Sequence, residues 1–120
     1  MSLIMMMLLG EAIVFAVAAL IHAGLLVEGY EHHEARDAES VLAVVLLLGF
    51  LVAWRRSSWA KTAGILTQGF ALFGISIGFF TIIVGLGPQS IVDIAYHLVI
   101  SAVLIWGLIV STRTQHEQEA

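Results

Sequence analysis

Cysteine is absent from this 120-residue chain. That removes disulfide cross-links, thiolate metal sites and a thiol nucleophile together, and it leaves the redox compartment unread. Charge is nearly as scarce. Charged residues make up 12% of the chain, with five Lys and Arg and a net charge of -4, where a soluble domain carries about 25%. The few cations fall at the ends of apolar runs, so no basic face is available for nucleic acid. No HExxH or other recognised catalytic spacing occurs, and an enzyme is not expected, although a carboxylate beside a metal-bound water is one route to catalysis.

What fills the chain instead is hydrocarbon. Hydrophobic residues reach 60% and the mean hydropathy is +1.00, a composition suited to lipid rather than water. Four apolar runs stand out, predicting membrane spans at about 3–27, 38–57, 61–86 and 90–112. Together they form one four-span domain over 1–112, followed by a short polar, frayed tail at 113–120. The first run lacks a positive n-region and contains Glu11, so it is expected to be retained rather than removed as a signal peptide.

The second run is short, but Arg55 and Arg56 can snorkel while Trp54 and Trp59 occupy the interface. Gly85, Gly87, Pro88 and Ser90 predict a tight turn between the third and fourth. The fold class is therefore all-α: an antiparallel up-down-up-down bundle with short loops. Arg55, Arg56, Lys61 and Arg113 share one side and Arg36 lies on the other, so the positive-inside rule places both termini in the cytoplasm of a bacterial-type inner or plasma membrane. The acidic stretch from Glu28 to Asp37 then lies outside, where Glu31, His32, His33 and Glu34 read either as solvated residues or as a cation-collecting loop.

Close packing is written into the third span, where Gly64, Thr67, Ala71, Gly74, Gly78, Thr81 and Gly85 recur at three- and four-residue steps. Small residues let helix backbones approach where lipid offers no competing hydrophobic drive. Gly64, Gly74 and Gly78 are the predicted seam, and Ala12, Ala16, Ala19 and Ala23 form a similar face on the first span. The seams join helices of one chain or of several. With so little interior, a homo-oligomer or a subunit of a membrane complex is expected, with the lipid bilayer as the remaining partner.

An ionisable group in hydrocarbon costs about 2.5–3.5 kcal/mol on insertion scales, so such groups turn inward and find partners. His22, Glu39, Asp93 and His97 all fall in the outer half. Imidazole and carboxylate suit a divalent transition metal such as Zn, Fe or Mn, and these four are the candidate metal ligands. Plainer roles compete. Ser90-Ile91-Val92-Asp93 matches a capping box, Glu39 can complement a helix dipole, and either His can bond a backbone carbonyl, Tyr96 or Tyr30. A haem b held by His22 and His97 is a further, weaker alternative.

Glu11 lies eleven residues before His22, close to three turns and so on the same face, and Gln68 reaches a comparable depth from the third span. Glu11 and Gln68 are either structural glue or a proton or cation path toward His22. Four short spans with a glutamate in the first are similar in plan to the small multidrug resistance family. That resemblance implies proton-coupled transport through Glu11, and it is confined to architecture, since the third span lacks the tryptophan-tyrosine signature of that family. Metal binding, transport, electron transfer and an accessory role are the functions the sequence leaves open.

Overall fold

The computed structural model describes residues 1–119, with side chains through Thr114. Four helices make up the fold: α1 (Leu3–His22), α2 (His33–Arg55), α3 (Ala60–Ile83) and α4 (Ile91–Glu119). A single 3₁₀ turn, Ser57–Trp59, links α2 to α3. All four are long and apolar enough to cross a membrane, the pattern of a helical membrane protein.

Two helices stop earlier than hydropathy predicts, and for one reason. After α1, Gly24 adopts φ +79°, Gly24 N–H donates to Ile21 O at 3.0 Å, and Leu25 N–H donates to Leu20 O at 3.1 Å. After α3, Gly85 at φ +85° directs the same pair of bonds to Ile82 and Thr81. Both are Schellman caps, in which a left-handed residue turns the chain while the last carbonyls stay bonded. Leu25, Leu26 and Val27 continue the apolar run past the glycine but not the helix.

The second helix starts five residues earlier than expected. His32 is its N-cap: its Nδ1 accepts a hydrogen bond from Ala35 N–H at 3.2 Å. Half of the acidic stretch is therefore the first turns of α2 rather than loop. At the other end of the chain, the segment expected as a separate frayed tail continues α4 as helix to Glu119. Ala120 lies outside the described residues.

Consecutive helices run antiparallel. Gly49 on α2 faces Thr67 on α3 while Leu42 faces Gly74, and Gly64 on α3 faces Ser111 on α4 while Gly78 faces His97. The three seam glycines thus sit inside the chain's own bundle. On α1 the buried alanines are Ala12, Ala18 and Ala19, whereas Ala16 is exposed. The small face predicted there is shifted, because Phe15 and Leu8 set the direction of burial.

The core is a thin column of Leu8, Phe15, Leu46 and Leu104, all fully buried, with Leu42, Ala71, Ile75 and Ile100 around it. Leucines, valines and phenylalanines cover the outside, the arrangement expected where lipid tails rather than water surround the helices. The bundle is flattened, 50 × 25 × 16 Å. An apolar groove of about 690 Å³ separates α1 from α4 and exposes Val14, Ala95, Val99 and Val103 along its walls.

Candidate functional site

Two polar groups are buried in this column, one at its distal end and one within it, between Leu8 and Phe15. The first lies at the distal end, beside the α1–α2 loop and the α3–α4 turn. His22, on the last turn of α1, is 3% exposed and uses both ring nitrogens. Nδ1 lies 2.7 Å from Glu39 Oε1 and 2.9 Å from Oε2, while Nε2 lies 2.8 Å from Asp93 Oδ1. One imidazole from α1 therefore bridges carboxylates from α2 and α4.

Local structure fixes each member. Glu39 stands two turns into α2, too deep to serve mainly as a dipole complement, and faces α1. Asp93 is a capping residue and a site residue together. Its N–H donates to Ser90 Oγ at 3.0 Å, and its Oδ2 accepts from the Ser90 hydroxyl. That leaves Oδ1 for His22. Three polar residues of the predicted cluster thus meet.

His97 does not join them as a fourth ligand. Its Nδ1 donates to Asp93 O, one turn back on its own helix, at 2.7 Å. The bond fixes the tautomer, because a carbonyl only accepts, and in the neutral ring it leaves Nε2 as an acceptor. Nε2 lies 3.1 Å from where a Cβ on Gly78 would stand.

The donors are therefore arranged around an imidazole rather than around a common point. Among the described residues, no group of three His, Asp or Glu side chains is disposed to hold a metal ion. Both His22 nitrogens face carboxylates.

His32, expected in the outer loop, caps α2, and its Nε2 lies 3.3 Å from Leu86 O on the α3–α4 turn. Its ring stands edge-on to His22, with centroids 6.5 Å apart. His33 opens α2, and Glu34 occupies the first turn of that helix. Among the described residues, neither belongs to a group disposed to hold a metal ion. Tyr96 packs edge-to-face on both Phe15 and His97. Its buried hydroxyl makes no hydrogen bond among the described residues.

The second group lies toward the end that carries the N-terminus and the α2–α3 connection. Gln68 is fully buried, and its Nε2 donates to Gly64 O and to Ser111 Oγ, each at 3.0 Å. Its Oε1 and Glu11 Oε2 crowd the same spot, where a Cβ on Gly107 would stand. Neither Glu11 oxygen, nor Gln68 Oε1, has a hydrogen-bond partner among the described residues. All three are acceptors when Glu11 is ionised, and a proton on Glu11 supplies the one donor that this set lacks.

Ser111 and Gly107 were not singled out in the sequence. The available signal was their four-residue spacing on α4, which puts a small and a polar residue on one face.

Fold and buried groups together define a class: a small helical membrane bundle with ionisable side chains sequestered between its spans. Set beside protein-family models, curated proteins and solved structures, the chain matches none of them.

Proposed function

We propose that this protein is a small proton-coupled carrier, with the Glu39–His22–Asp93 triad and the Glu11–Gln68 pair as its two proton-holding positions. The observation that carries the reading is that both nitrogens of one buried imidazole face carboxylates. A neutral imidazole donates from one nitrogen and presents a lone pair at the other, so one carboxylate is left facing a lone pair. An added proton resolves this, either on the ring or on a carboxyl group. The triad therefore stores a proton in apolar surroundings, near the distal opening.

Glu11 is the corresponding position nearer the other end. It lies on the same face of α1, about 16 Å along the helix at 1.5 Å per residue. Phe15 and Leu104 fill the interval, and the Tyr96 hydroxyl packed beside Phe15 makes no hydrogen bond among the described residues, which argues for a carrier whose helices shift rather than an open water-filled pore. The groove beside α4 gives α1 room to move. Arg55, Arg56, Lys61 and Arg113 support a cytoplasmic orientation for the termini, which sets Glu11 as the inner position and the triad as the outer one.

Liposomes loaded with a pH-sensitive dye test the proposal. Reconstituted wild type under an imposed potential is expected to move protons above the level of empty vesicles. Glu11→Gln, which keeps the size and the amide-compatible contact, is expected to abolish that flux. Equal flux in the two proteins, or none in wild type, overturns the reading.

A further inference from the structure

A second cavity, of about 470 Å³, opens at the distal end between α2 and α3 and reaches the triad from the side away from α1. We infer that this cavity binds a small organic ammonium ion, with Glu39 and His97 as its recognising groups.

The hydrogen-bonding inventory of the walls selects the ligand. Thr81 and His32 line the cavity, but their protons are directed at carbonyls: Thr81 Oγ1 donates to Gly78 O at 2.6 Å, and His32 Nε2 faces Leu86 O at 3.3 Å. The groups with capacity left are acceptors. Glu39 takes one N–H from His22 across both oxygens, and a carboxylate has about four acceptor positions. His97 is 4% exposed, and its Nδ1 is committed to Asp93 O, which leaves Nε2 as an acceptor in the neutral ring. A ligand that fits must bring N–H donors.

Charge points the same way. Two carboxylates around one imidazolium leave a net charge of about -1 in a low-dielectric setting, where a monovalent cation is favoured. Glu34 adds an exposed carboxylate at the rim, and Leu42, Ile75, Ile77, Leu86 and Pro88 give hydrocarbon walls. They suit a compact apolar body on the ammonium rather than a bare metal ion, which needs several converging oxygen or nitrogen donors. Gly78 keeps the wall beside His97 open, since a Cβ there would stand 3.1 Å from Nε2. The volume falls within the usual range for small-molecule sites, about 300–1,000 Å³.

Assigning this ligand as the carrier's cargo rests on the proton-coupled reading, whereas occupancy of the cavity is measured without any proton flux. Titration calorimetry on wild type in nanodiscs, with cyclohexylammonium chloride and with neutral cyclohexanol, makes the test. The ammonium is expected to bind saturably at one per chain, and cyclohexanol at least about tenfold more weakly, the value of one charge-assisted hydrogen bond. His97→Phe and Gly78→Ala are each expected to weaken the ammonium about tenfold while helicity by circular dichroism is retained.

Absence of saturable binding to wild type overturns the inference. So does equal binding of cyclohexanol, or undiminished binding to a folded His97→Phe. If either variant loses its helicity, the comparison of ammonium with cyclohexanol on wild type decides alone. Liposomes without proton flux alongside intact ammonium binding would remove the carrier and keep the site.

Discussion

The two buried polar groups meet the same penalty in opposite ways. At the distal end, three ionisable side chains from three helices contact one another directly, and each short contact joins an imidazole nitrogen to a carboxylate oxygen. Toward the terminal end, Gln68 spends both donations on Gly64 O and Ser111 Oγ, and acceptors face acceptors around Gly107. One group sets a shared imidazole between its two carboxylates, and the other sets acceptors against acceptors. The difference teaches that ionisable residues with similar burial need not share a protonation logic: partner count decides which behaves as an ion pair and which as an acid.

The largest expected effect comes from breaking the group that shares the imidazole. His22→Leu leaves Glu39 and Asp93 buried and facing a leucine, and loss of one member of a buried ion pair costs about 3–5 kcal/mol. Unfolding by SDS titration in mixed micelles, followed by circular dichroism, measures it. Adding Glu39→Leu and Asp93→Leu is expected to recover most of the loss, because no buried charge then lacks a partner. A loss below about 1 kcal/mol for the single change, the scale of exposed pairs, would break the contrast between the two ends.

A smaller effect tests geometry at the other group. Gly107→Ala places a methyl group onto Gln68 Oε1, in an interior with no slack, and overpacking of this kind costs about 1–3 kcal/mol. The same unfolding assay reads it, and a neutral result would mean that Gln68 swings away freely. Smallest is Glu11→Gln. Its amide carries a donor as a protonated acid would, so stability is expected to change by less than about 0.5 kcal/mol. A loss comparable to that of His22→Leu would show Glu11 to be a paired charge and erase the distinction.

The number and order of the spans were legible because hydropathy over twenty residues leaves few alternatives. Their ends were less so. Leu25, Leu26 and Val27 carry the apolar signal past a stop imposed by the backbone of Gly24, and the start of α2 depends on a histidine acting as N-cap inside a polar stretch.

Convergence of His22, Glu39 and Asp93 was readable from the cost of burying charge, which leaves such residues little choice but one another. The exclusion of His97 was not readable. Spacing four residues from Asp93 gives the same face whether the ring reaches across to another helix or bonds the carbonyl one turn back. Ser111 lies near the end of an apolar run, where a hydroxyl carries no penalty that marks it, and Gly107 gains meaning only from the Gln68 amide lying against it.

The α1–α2 loop has a clasp at its base. His32 N–H donates to His22 O at 2.9 Å, so the two ends of the loop are fastened to each other next to the triad. Within the loop, Gly29 has φ +94° and open space around its α-carbon. The clasp isolates the intervening residues mechanically, since a change of length there is absorbed before it reaches His22. The loop thus becomes a handle: an epitope inserted beside Gly29 reports which face of a membrane it lies on while leaving the buried chemistry undisturbed.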